Sequence, residues 1–163
     1  MADYIALNVS SPNTPGLRSL QVHDALVELL RAVMDENHRL GSAKPILLKI
    51  APDLSDDTLQ QIAEACESAQ VSGLIATNTT LDHSLLTGEA DEEGGLSGEP
   101  LRARATAVIR LLRKATRLPI IGVGGIDDPV SAKEKVEAGA DLLQVYTGLI
   151  YRGPGLLREL REG

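Results

Sequence analysis

Short, nearly continuous apolar runs alternate along the chain with longer stretches whose apolar residues recur every three to four positions. The runs are Tyr4-Ile5-Ala6-Leu7-Asn8-Val9, Ile46-Leu47-Leu48-Lys49-Ile50, Gly73-Leu74-Ile75-Ala76-Thr77-Asn78, Pro119-Ile120-Ile121-Gly122-Val123 and Asp141-Leu142-Leu143-Gln144-Val145-Tyr146. Such runs predict strands buried on both faces, as in a parallel sheet covered by helices. Helical spacing appears in Val22, Ala25, Leu26, Leu29, Leu30 and Val33, in Leu59, Ile62, Ala63, Cys66 and Ala69, and in Leu101, Ala105, Val108, Ile109 and Leu112. Ser55 suits an N-cap, with Asp56 and Asp57 in the first turn where the helix dipole favours anions. Pro100 suits a first helical turn, Gly139 stops a helix over 129–138, and a last short helix starts at Gly153-Pro154-Gly155. A polar, glycine-rich loop fills about 80–99. Five strands alternating with about five helices predict an α/β fold.

The length of 163 residues fits one domain but falls short of the ~250 residues of a complete (β/α)8 barrel. The prediction is therefore five parallel βα units in a single domain over 1–163, as an open sheet or part of a barrel. Without Trp or Phe, the core must be aliphatic. The net charge is −7, and no Lys or Arg lies between Lys49 and Arg102, a span that holds eleven acids. A nucleic-acid backbone needs the opposite surface, so nucleic acid is not expected as a partner. No apolar run nears the ~18 residues of a membrane span, and the opening MADYIALNVS has no export pattern. The chain by itself reads as soluble and cytoplasmic. Cys66 belongs to a packed helix face, and His23, His38 and His83 are scattered, so no metal site is expected.

Every run ends in residues a buried strand would not choose: Asn8, Ser10 and Ser11; Lys49; Thr77, Asn78 and Thr79; Gly124 and Gly125; Tyr146 and Thr147. In parallel α/β folds the strand C-termini form one rim where ligands bind, so these five clusters should converge. Lys49 is the sharpest signal, because a lysine within a strand is costly to bury without an anion. Its cation would stabilise negative charge on a ligand or cofactor. The diglycine and the helix beginning at Gly153 suit a bound anion. GVGGI itself lacks the spacing of a dinucleotide fingerprint. Prolines 12 and 15 and Gly16 stiffen a loop that presents Ser11, Asn13 and Thr14.

The blocks NVSSPNTPGL (8–17), LLKIAPDLS (47–55), GLIATNTT (73–80), GGLSGEPL (94–101), PIIGVGGI (119–126) and LLQVYTGLIYRGPGL (142–156) occur in the order found in one family. Through them the chain closely resembles the class 2, quinone-dependent dihydroorotate dehydrogenases, FMN oxidoreductases of pyrimidine biosynthesis. The resemblance implies a (β/α)8 TIM barrel with FMN at its C-terminal rim, of which this chain corresponds to strands four to eight. It implies Ser11 as the catalytic base that takes a proton from C5 of dihydroorotate; a serine hydroxyl is a poor base and needs a relay, for which Thr14 is the candidate helper. Asn8, Asn13, Asn78 and Thr79 match substrate-binding positions. Asn8, Lys49, Thr77, Gly98, Gly125, Tyr146 and Thr147 match FMN-binding positions, the last three around the phosphate. The implied partners are dihydroorotate and orotate, and a quinone met at the cytoplasmic side of a membrane. Without strands one to three the chain alone is expected to be inactive, and open barrel edges are expected to favour self-association. The alternatives are a non-catalytic FMN- or phosphate-binding partial barrel and a fragment with no independent function.

Overall fold

Each apolar run becomes a strand of one parallel sheet, in chain order: β1 (Ile5–Asn8), β2 (Ile46–Ile50), β3 (Gly73–Ala76), β4 (Ile120–Val123) and β5 (Leu142–Gln144). The computed structural model describes residues 2–21, 23–41, 44–84, 86 and 92–162. Val22, Glu89 and Asp91, and the side chain of His23, lie outside what is described. The crossovers are α1 (His23–Arg39), α2 (Asp56–Ser68), α3 (Arg102–Ala115) and α4 (Pro129–Ala138), packed side by side in that order. Two short helices follow β5: α5 (Thr147–Arg152) and α6 (Gly155–Glu162). Parallel strands, helical crossovers and an unbroken strand order make this a partial (β/α) barrel.

The local signals act as their chemistry dictates. Ser55 caps α2 by accepting a hydrogen bond from the Thr58 amide at 3.2 Å. Asp128 and Ser131 close a reciprocal capping box at the start of α4, and Gly139 ends that helix at a φ of 112°. Pro100 sits in a 3-10 turn, Glu99–Leu101, which leads into α3.

Alternation along the strands separates two environments. Leu48, Ile50, Leu74, Ala76 and Ile120 face the helices and join Leu26, Leu59, Ile62, Ile109 and Leu112 in the main core. Leu47, Ile75, Ile121 and Val123 form a smaller apolar cluster on the other face of the sheet. Cys66 is fully buried in the main core, and burial pushes its thiol up to about 12, so it packs as a small hydrophobe.

Two expectations need correction. The strands are not all buried on both faces. β2, β3 and β4 are, Lys49 apart, but in β1 and β5, which have a strand neighbour on one side only among the described residues, Ile5 and Leu142 remain 44% and 63% exposed. The last run is also shorter than its apolar stretch. β5 ends at Gln144, and Thr147 opens α5 instead of closing a strand.

Lys135 of α4 is fully buried between α3 and α4, donating to the Arg102 carbonyl at 2.8 Å and to the Thr106 hydroxyl. Burial pushes its pKa down to about 8 from 10.5. Between these values the unfolded chain binds the extra proton, so stability rises with pH through this window. Lys135→Met is expected to reduce that rise, read from urea midpoints measured from pH 7.5 to 10.5. Leu74 has no exposed surface, and Leu74→Ala is expected to cost about 2–5 kcal/mol in the same assay. Leu142→Ala, at the open edge, is expected to stay within about 0.5 kcal/mol of the parent.

Candidate functional site

The register of the sheet decides which polar side chains meet. Asn8, Lys49, Ile75, Ile121 and Leu142 stand opposite one another across the five strands. Lys49 therefore shares the inner face with Ile75 and Ile121 and points away from the helices. One pleat nearer the rim, Val123 stands opposite Gln144, and the Thr77 amide donates to the Val123 carbonyl at 2.9 Å. The peptide between Ala76 and Thr77 is cis.

Above these rows lies a cleft of about 230 Å³. Lys49, Thr77, Asn78, Thr79, Gly98, Gly125, Tyr146 and Thr147 all line it, drawn from five separate segments. Its apolar wall is Leu101, Val123, Ile126 and Val145. A second hollow of about 560 Å³ shares Ser97, Gly98, Gly125, Thr147 and Gly148 with it. The first cleft alone is below the ~300–1,000 Å³ of a typical ligand pocket, so a ligand larger than a fragment must extend past Gly98 and Thr147.

The chemistry of the cleft is uneven. Lys49 is half-buried, burial holds its pKa below the usual lysine value, and it has no ion-pair partner among the described residues. At the far side Gly124 and Gly125 adopt φ of 116° and 69°, a region that suits glycine. A Cβ on Gly125 would lie 2.6 Å from the Arg102 Cα, so α3 packs directly against this turn. The Ser97 and Thr147 hydroxyls bond to each other at 2.9 Å, fixing the Gly98 loop to the start of α5. The Gln144 Oε1 is buried and has no hydrogen-bond partner among the described residues. An unpartnered buried acceptor costs ~1–3 kcal/mol, so it calls for a donor from a ligand or a water. Together these groups suit an anionic ligand with an N–H edge and an apolar face.

Asn8 meets this cleft through its neighbours. Its Oδ1 accepts from the Asn78 Nδ2 at 3.2 Å and from the Ser10 hydroxyl at 3.1 Å, and Asn78 also donates to the Ser10 Oγ at 3.0 Å. Asn78 Oδ1 accepts from the Thr79 amide at 2.9 Å. Ser11 and Asn13 do not line the cleft. The Ser11 Oγ accepts from the Asn13 amide at 3.3 Å, and Asn13 borders an adjacent hollow with Pro12, Pro15 and His83. Thr14 makes no hydrogen bond to Ser11 among the described residues; its carbonyl instead accepts from Leu17.

Sequence reasoning passed over Ser97, Gln144, Arg18 and Asp53. Gln144 carried a usable signal, being a polar residue inside an apolar run. Ser97, Arg18 and Asp53 sit in loops and turns where such residues are ordinary.

A half-buried ammonium without an anion opposes folding, because its charged form is poorly solvated. Lys49→Met is therefore expected to raise the urea midpoint of the ligand-free chain at pH 7, with the gain shrinking as pH approaches 10.5.

The family model described as dihydroorotate dehydrogenase matches residues 1–163. The dihydroorotate dehydrogenase (quinone) of Vibrio vulnificus is 55% identical over 169 residues, covering 98% of this chain and 50% of the relative. That of Vibrio parahaemolyticus is 56% identical over 167 residues, with the same shares. A solved DHODH from Eimeria tenella, in complex with ferulenol, overlays at a TM-score of 0.92 with 37% identity, over 99% of this chain and 48% of that one. The chain thus spans about half the length of the relatives it matches. No helix among the described residues is long and apolar enough to cross a membrane. Likeness that runs from the first residue to the last, and holds in three dimensions as well as in sequence, makes this chain a member of the dihydroorotate dehydrogenase family.

Proposed function

We propose that these residues form the C-terminal-rim half of an FMN site at which dihydroorotate is oxidised to orotate, with a quinone as the final electron acceptor. The observation that carries the reading is the lone Lys49 ammonium in one cleft with the diglycine turn and the unpartnered Gln144 acceptor. This donor set fits FMN. The ring system offers an N–H edge and takes up negative charge, and the phosphate suits Gly125 and Thr147. Bound FMN would take hydride from C6 of the substrate and pass the electrons on to the quinone. Lys49 supplies a fixed positive charge where negative charge gathers, a role strengthened by its partial burial. Asn8 and Asn78, already bonded to each other, offer amides to the substrate, with Asn13 and Thr79 on the loops beside them. Ser11 takes the C5 proton while its own hydroxyl proton passes to water, which reaches this exposed loop, and the Asn13 amide orients the oxygen.

The strand correspondence (four to eight of the barrel), the single domain over 1–163 and a peripheral position at the cytoplasmic face of a membrane belong to the same proposal, since a lipid-soluble quinone is met there. The exposed Ile5 and Leu142 at the sheet edges favour self-association. They also favour a second reading, in which FMN binds without turnover because part of the inner wall is open.

Purified chain should carry a yellow chromophore that denaturation releases. Dye reduction by the chain in the presence of dihydroorotate selects catalysis over the second reading, and Ser11→Ala should then lower that rate by roughly 100-fold or more. An unchanged rate rejects Ser11 as the base. Flavin without dye reduction selects the second reading, and colourless protein rejects both.

A further inference from the structure

We infer that Arg18 is the positioning residue of the substrate end of this site: one guanidinium holds the Ser11 loop in register with the Asn78–Thr79 loop. The inference rests on the dihydroorotate reading for its ligand, and on hydrogen bonds alone for its geometry.

Arg18 projects from a 3-10 turn, Leu17–Gln21. The turn is itself anchored, because the buried Gln21 accepts from the Ala51 amide at 3.0 Å just past β2. From that mount the guanidinium donates to three loops. Its Nε reaches the Ser10 carbonyl at 3.1 Å, its Nη1 the Asp53 Oδ2 at 2.7 Å, and its Nη2 the Thr79 carbonyl at 2.9 Å. Asp53 extends the staple by accepting from the Leu81 amide at 3.0 Å and from the Thr80 hydroxyl. The segments after β1, β2 and β3 are thereby fastened at one point. The Ser10 carbonyl lies in the peptide that leads into Ser11, and Thr79 follows Asn78. On the cleft side, the bonds from Asn78 to Asn8 and Ser10 close the ring.

The bond pattern needs arginine. Its planar fork aims N–H groups in fixed directions, whereas a lysine at the same position could keep the ion pair to Asp53 but not the two carbonyl bonds as well. An exposed ion pair contributes little stability. Here the pair is about three-quarters buried, and its effect is orientation: displacing a reacting group by about 1 Å can cost ~100-fold in rate. Gly98, Gly125 and Thr147 make no hydrogen bond to any member of the staple among the described residues. Loss of Arg18 should therefore affect the substrate end and spare the phosphate end.

The test compares the parent chain with Arg18→Lys, which keeps the charge. FMN and orotate are titrated by flavin absorbance, orotate onto the FMN-loaded chain, and amide hydrogen exchange is followed by mass spectrometry. The expected result is orotate Kd raised about tenfold or more with FMN Kd within about twofold, a split that general destabilisation would not produce. Exchange should accelerate together in peptides covering 8–18 and 78–82. Unaltered orotate affinity, or faster exchange confined to 8–18, overturns the inference. If the parent chain binds FMN but no orotate, the dihydroorotate reading fails, while the exchange result still decides whether Arg18 couples the two loops.

Discussion

A parallel strand shows its side chains alternately to two sides, and the strand Ile46–Ile50 applies that rule with the least tolerance for error. Leu48 and Ile50 go to the helices, with Ile46 on the same side by alternation, and Leu47 and Lys49 to the opposite face. A shift of one residue would drive the Lys49 ammonium into the aliphatic core and turn three large apolar side chains outward. Everything else at the cleft depends on this choice of side. The same pairing that seats Lys49 also brings Asn8 beside it and sets Val123 against Gln144 one pleat higher.

The face away from the helices therefore mixes apolar and polar groups within its rows. Leu47, Ile75, Ile121 and Val123 form its apolar cluster. Lys49 shares a row with Ile75 and Ile121, and Gln144 stands opposite Val123 in the next; the Lys49 cation and the Gln144 carbonyl oxygen are the groups left short of partners among the described residues. Native proteins seldom leave buried polar groups in this condition except where a water, an ion or a ligand completes them or where they take part in function. The contrast with Lys135 makes the point. That lysine is more deeply buried, yet its ammonium is satisfied by a carbonyl and a hydroxyl, and it lies between helices, away from the cleft.

Around the rim, the loops are held by two separate devices. Glycines with positive φ let the backbone after β4 turn tightly against α3. After β1, β2 and β3, charge-assisted hydrogen bonds through Arg18 and Asp53 do the holding. The two halves of the cleft are thus held by different means, one by close backbone packing and the other by a polar clasp, and Arg104 of α3 links them by donating to the Pro52 and Leu54 carbonyls at 2.8 and 2.6 Å.

The elements of this fold were legible in the chain itself, because apolar periodicity, the Ser55 cap, Pro100 and Gly139 act over a few residues. The same holds for the polar ends of four runs, Lys49, Thr77–Thr79, Gly124–Gly125 and Tyr146–Thr147, which meet at one cleft as a parallel sheet requires; Asn8 and Ser10 reach it only through Asn78, and Ser11 does not line it. The motif blocks carried the candidate residues Asn8, Ser11, Lys49, Asn78 and Thr147. Three things needed the tertiary structure. The exposure of β1 and β5 depends on neighbours across the sheet rather than on their own composition. The start of α5 at Thr147 overrides an apolar run that continues to Tyr146, and local pattern has no means of marking that break. The clasp between Arg18, Asp53 and Thr79 joins residues 35 and 61 positions apart, so only the folded arrangement of three loops could make an ordinary arginine and aspartate into partners.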